Sequence, residues 1–334
     1  MHVTVRWRRA AYFEAMANHS VTEKPNSTRH TTGVAPVSSA VDGEMTRAVR
    51  VIGLIMACLV VGAILAGIWK ASVGPQSGKA ALVGGLFLTE VILAGILILL
   101  GSLVEGFGYG LSLGTRWPYT RNILVLMVRG DPEAAHRLVA TLVGLIALAL
   151  VFLAPSSATI NGLVLVIIAA LFGIGTLYVL SGRMPAFVHG IHGLLAYGVF
   201  LSYLTGLVFP GVEFWGYLKF TVALHALLLA VFLGGGMTTG QRGFGQPIGP
   251  FYRPQRLAHW TVAAHIVAAL TVVATLGWLM PTYPVAFYLA VAQVAVGFLL
   301  FHAVNLKPKN PGTIVAFHQS IVLLITIAIV VSLP

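Results

Sequence analysis

The sequence predicts an all-α, polytopic membrane protein: two four-helix-bundle repeats plus one extra N-terminal transmembrane helix. Composition is the first reason. Of 334 residues, 58% are apolar and only 9% are Asp, Glu, Lys or Arg, against about 25% charged in a soluble domain. Run length is the second. Apolar stretches of about 18–25 residues recur, enough to cross roughly 30 Å of hydrocarbon at about 1.5 Å per residue. Order is the third, because the later stretches repeat in number, spacing and histidine placement. The short alternating segments of a transmembrane barrel are absent. A soluble enzyme and a disordered binding protein are both excluded.

Residues 1–48 are polar, without periodicity, and read as a disordered basic tail. Seven of the twenty Lys and Arg fall in the first fifty residues: Arg6, Arg8, Arg9, Lys24, Arg29, Arg47 and Arg50. Such a tail draws anionic lipid, and no folded nucleic-acid module accompanies it. The extra helix occupies 49–70 and holds the single cysteine, Cys58. One cysteine excludes an internal disulfide and a thiolate cluster. The first four-helix unit spans 80–209, with helices at about 80–104, 137–155, 159–180 and 186–209. The second spans 213–334, with helices at about 214–235, 258–279, 283–304 and 312–332. Most links are short and contain Pro or Gly, which makes neighbours antiparallel. The long polar intervals are 105–135 and 236–257, each after the first helix of a unit.

Histidine placement carries the repeat. His136 follows the first long loop and His259 the second. His192 comes seven residues after Pro185, and His318 seven after Pro311. Within each unit the second and fourth helices start on the same membrane face, so each pair of histidines can converge at one depth. Imidazole in lipid is costly and is functional or paired. Two facing imidazoles suit the axial positions of a planar tetrapyrrole, and bis-His iron suits electron transfer. Arg137, Arg183 and Arg256, with Lys307 and Lys309, lie on that face and could pair with propionates. A non-haem metal would want carboxylates, and only Glu133 and Glu90 are at hand. His189, three residues before His192, is an alternative ligand or a supporting group. His225, His265 and His302 are expected to make hydrogen bonds between helices. Glu133 precedes His136 by three residues, where the second unit has Arg256 before His259. It is either a reacting carboxylate or a favourable charge at a helix start.

This constellation resembles the heme A synthase family. The matching residues are Glu133-Ala134-Ala135-His136-Arg137; Gln293, Pro311 and His318-Gln319; and the stretch Gly101 to Gly106 with Gly110-Leu111-Ser112 and Trp117-Pro118. The likeness covers about 80–332; His259-Trp260 stands where the family has His-Arg. It implies an oxidoreductase in the cell membrane that turns a methyl group of heme O into the formyl group of heme A for terminal oxidases. The implied substrate-haem ligands are His136 and His192, and the implied ligands of a bound haem b are His259 and His318. Glu133 would stabilise positive charge beside the ring. The implied partners are a heme O donor, such as a heme O synthase, and a membrane electron acceptor; no nucleic acid is expected. The competing expectation is a diheme cytochrome b-like electron-transfer subunit using the same four histidines. Orientation is contested. Arg116, Arg121, Arg129, Arg137, Arg183, Arg242, Arg253, Arg256, Lys307, Lys309 and the tail share the histidine face, against Lys70, Lys79 and Lys219 opposite. The positive-inside rule makes that face cytoplasmic, whereas the family resemblance implies that it lies outside.

Overall fold

In the computed structural model, the described residues are 38–73, 78–115, 122–243 and 245–333, with side chains described for all of these except 38–46 and 220. They form α1 (Ser38–Val73), α2 (Lys79–Gly106), the short α3 (Ile123–Val128), α4 (Pro132–Leu153), α5 (Ser157–Leu180), α6 (Phe187–Val208), α7 (Phe214–Arg242), α8 (Leu257–Trp278), α9 (Pro284–Leu306) and α10 (Ile314–Val331). Among the described residues, nine helices are long and apolar enough to cross a membrane. The chain is an all-α, multi-pass membrane protein.

Local chemistry sets several boundaries. Asp131 accepts from the backbone N–H groups of Glu133 and Ala134, with Pro132 in the first turn, so α4 starts before Glu133 and His136. Ser156 and Thr159 form a reciprocal capping box on α5. Gly243, at φ 63°, ends α7 in the left-handed conformation, seven residues past the expected 235. The tail also differs from expectation. Residues 1–37 lie outside the described residues, but 38–48, expected to be disordered, are helical. Ala, Glu, Met and Arg there are good helix formers and continue α1 outward.

The helices sort into an inner and an outer set. The share of each span buried inside the protein is 44% for α2, 50% for α6, 33% for α7 and 50% for α10, against 17–22% for α1, α4, α5, α8 and α9. Helices α2, α4, α5 and α6 pack in a closed ring of neighbours. Helices α7 to α10 follow one another in contact, and α10 turns back onto α2 and α6. In each group the first and last helices are therefore central and the middle two face lipid.

The extra helix α1 lies against α2. Thr89 donates to the Ala63 carbonyl at 3.3 Å, and a Cβ on Gly67 would sit 1.9 Å from the Thr89 hydroxyl oxygen. Small residues let the two backbones meet, as lipid-embedded helices require. Between α6 and α7, the Tyr197 and Tyr217 hydroxyls bond the two ring nitrogens of His225, each at 2.7 Å. All three side chains are buried, so His225 is a bundle hydrogen-bonding residue, as expected. His302 is not; it is exposed on α9 beside Phe298 and Phe301. At the histidine face, Glu105 of α2 takes Thr239 at 2.9 Å and Arg242 at 3.3 Å, both from α7. Arg242 also donates to the Pro308 carbonyl at 3.0 Å.

Candidate functional site

Four histidines are held in one way. Each ring rests on a glycine of the membrane-spanning helix before its own. A Cβ on Gly101 would lie 3.4 Å from the His136 ring, on Gly173 3.1 Å from His192, on Gly235 3.3 Å from His265, and on Gly297 3.2 Å from His318. At Gly173, Gly235 and Gly297 an added side chain would press on the ring, and at Gly101 it would just touch it. In three of the four, Nδ1 meets the backbone carbonyl four residues before that glycine: Leu97 at 3.1 Å, Ala169 at 2.9 Å and Val231 at 2.8 Å. A carbonyl only accepts, so Nδ1 carries the hydrogen and Nε2 keeps its lone pair. That is the arrangement in which a backbone partner orients an imidazole for a metal. In the fourth, Gln293 occupies the equivalent position, and its amide donates to the His318 carbonyl at 2.9 Å.

The four rings form two facing pairs. His136 and His192 have ring centroids 6.4 Å apart, and His265 and His318 6.3 Å apart. A metal–imidazole bond of about 2.0–2.1 Å, with about 1.1 Å more to each ring centre, puts two imidazoles on one ion about 6.3 Å apart. Each pair therefore has the separation of two axial ligands on a single metal. Among the described residues no group of three or more His, Cys, Asp or Glu converges. A metal held here would have two protein ligands, and its other positions would have to come from a bound group.

The ring that faces His318 is that of His265 and not that of His259. In His259, Nε2 meets the Ile248 carbonyl at 2.8 Å and Nδ1 accepts the Gln255 N–H at 3.0 Å. Both nitrogens are spent, and no lone pair is left for a metal. His265 makes the hydrogen bond between helices expected of it, to the Val231 carbonyl, and its ring is the one that faces His318. The physical reason is depth. Helix α8 starts at Leu257, so His259 sits in the first turn, where it ties down the loop ahead of it, and His265 lies nearly two turns further along the helix. Arg256 shares the tying role, donating to the Pro247 and Ile248 carbonyls.

Glu133 does the matching job in the first half. One carboxylate oxygen takes Arg137 at 2.5 Å, and the other takes the Ser112 hydroxyl at 2.9 Å and the Leu113 N–H at 3.1 Å. The carboxylate is buried and fully engaged, clamping the loop after α2 onto the start of α4. In the same loop, burial pushes the Tyr109 phenol up from its ordinary value, and the Asp131 charge adds to it. Arg183 lies exposed in the turn after α5. His189 faces α7, its Cβ 3.1 Å from where a Cβ on Gly240 would stand, while His192 faces His136. Arg116, Arg121, Trp117 and Pro118 lie outside the described residues. The chain matches no protein-family model, no curated protein and no solved structure.

Proposed function

We propose that this chain is a membrane haem protein with two bis-histidine sites, and that it oxidises heme O to heme A. The observation that carries the haem reading is the pair of facing imidazoles in each half, with Nε2 open in His136, His192 and His265. In this reading His136 and His192 hold the substrate haem, and His265 and His318 hold a haem b. The resemblance around Glu133 to Arg137 supports the choice of heme O oxidation. Haem iron supplies the oxidising chemistry when it is bound. The chain supplies ligation, orientation and field. His136 of α4 and His192 of α6 are the residues that would hold the substrate. Glu133 holds Arg137 and the loop 112–113 beside His136, so it acts first by position. The two-fold repeat of four-helix units belongs to the same proposal. It is supported by the four Gly–His contacts, two in each half.

A second reading has its own support. The Glu133 carboxylate is engaged by Arg137, Ser112 and Leu113, and the two histidine pairs have nearly equal spacing. That symmetry also suits an electron carrier with no chemistry on the porphyrin. One experiment separates them. The chain is expressed with a heme O source, and haems extracted from the membranes are resolved by chromatography. Heme A formation is expected. Two bis-His haems without heme A would favour the electron-transfer subunit, and a colourless protein would end both readings.

A further inference from the structure

Glu90 lies within α2 and is 0% exposed. Neither carboxyl oxygen has a hydrogen-bond partner. Among the described residues the ion pairs are Glu133–Arg137 and Glu105–Arg242, so no cation offsets it. Tyr203 of α6, also 0% exposed, is close enough to interact electrostatically with Glu90, and its hydroxyl has no partner either. Phe87, one turn before Glu90 on the same face of α2, packs on the Tyr203 ring at 6.2 Å. On α5, the side-chain amide nitrogen of Asn161, next to Gly162, is also buried without a partner. Native interiors leave few polar groups unpartnered, and Glu90 of α2 and Tyr203 of α6 fall at one place, against Gly162 of α5.

That place lies in line with the first histidine pair. Glu90 comes eleven residues before Gly101, on which His136 rests. Tyr203 comes eleven residues after His192, and Gly162 eleven before Gly173. Eleven residues make about three turns, return to within about 20° of the same direction and cover about 16 Å. Tyr203 also repeats the packing of His192. A Cβ on Gly162 would lie 2.7 Å from the Tyr203 hydroxyl, as one on Gly173 would lie 3.1 Å from the His192 ring. All three offsets run away from the histidine face. Glu90 and Tyr203 are thus one repeat deeper in the same interior column.

We propose that Glu90, with Tyr203, is a proton-binding site inside the membrane, placed to exchange protons with the His136–His192 site. A bare carboxylate in this setting would be uncompensated, whereas the neutral acid is a donor and an acceptor at once. The nearby polar groups do not make a metal site: a hard cation asks for about six oxygens, and none of the described groups of acids and histidines converges. Ser202 is occupied with the Ala158 carbonyl and Thr159 with the cap of its own helix. The service to the histidine pair rests on the redox reading above; the binding of a proton does not.

The first test needs no activity. Dicyclohexylcarbodiimide, which partitions into lipid, adds whole to a protonated carboxyl group, and the adduct rearranges to a stable acylurea. Membranes carrying the full chain are treated at neutral pH, and the adduct is mapped by peptide mass spectrometry. Labelling of Glu90 is expected, with loss of that adduct in Glu90→Gln. Ile64→Glu, on the lipid-exposed side of α1, reports that the reagent has entered the bilayer. No adduct on Glu90 while the residue-64 reporter is labelled overturns the site. The second test uses chain purified with its haem and follows the midpoint potential against pH. Its slope should fall toward zero in Glu90→Gln and shrink in Tyr203→Phe. An unchanged slope in Glu90→Gln would sever the proposed link to the histidine pair. Labelled Glu90 in a chain that binds no haem would uphold the proton site and end the redox reading.

Discussion

His259 and His265 are six residues apart on one helix, yet one has both nitrogens bonded to backbone and the other faces a second imidazole. Replacing each with alanine should therefore give opposite results. Under the haem proposal, His265→Ala should halve the haem-to-protein ratio, and His259→Ala should keep the ratio while lowering thermal stability. Haem content by pyridine haemochrome and a melting curve on each variant check both halves. Glu133→Gln should also destabilise. It removes a charge partner of the buried Arg137, and breaking a buried pair costs about 3–5 kcal/mol, so a lower melting temperature is expected even where haem is retained. An unchanged melting curve would put the weight back on a purely chemical role. That His136 and His192 face each other was legible in the sequence, because a helix start marks one and a proline the other. That His265 faces His318 was not. Spacing from the loop singled out His259, and what marks His265 is a glycine one helix earlier, in the run Gly234-Gly235-Gly236.

At the scale of the element, all nine spans were legible, because apolar length alone predicts them. Their ends were less so: α4 starts at Pro132 and not 137, since the cap on Asp131 is a side-chain effect that hydropathy does not register. The short α3, inside the first long loop, carries no apolar period long enough to read. The faces of the helices are written mainly in their glycines, and these can be tested without touching a ligand. Gly173→Ala would bring a Cβ to 3.1 Å from the His192 ring, tighter than the ring tolerates unmoved. An alanine in place of glycine favours an isolated helix by about 1 kcal/mol. The expected outcome is a helix no weaker and a first haem site with altered low-spin spectrum or occupancy; a wild-type spectrum would mean that the ring is not held against α5. On α1, Gly67→Leu would collide with Thr89 and the Gly85 carbonyl. It should release α1 from α2, seen as loss of a crosslink between cysteines placed at residues 63 and 89, with the histidine pairs untouched.

Across the whole molecule, the two halves meet through the Tyr197–His225–Tyr217 chain and through Arg242 with Glu105. Tyr197→Phe leaves one His225 nitrogen without a partner in the interior, at a cost of about 1–3 kcal/mol. The melting temperature should fall in Tyr197→Phe, and a fall of similar size is expected in Tyr217→Phe. Composition showed that the chain lives in lipid, but this seam was not legible, because a hydrogen bond between residues 197 and 225 leaves no periodic trace. One contact between the two halves joins backbones far apart in the chain. The Gly312 N–H donates to the Gly106 carbonyl at 2.8 Å, and a Cβ on Gly106 would stand 2.3 Å from the Gly312 oxygen. Backbone touches backbone there, where α2 ends and α10 is about to begin. During synthesis, α2 enters the membrane early and waits through roughly two hundred residues for the strand of chain that covers its end. The first half is thus finished by the last span, and a chain cut before α10 should be recognised by membrane quality control as incomplete in both halves, including the one whose four helices it already possesses.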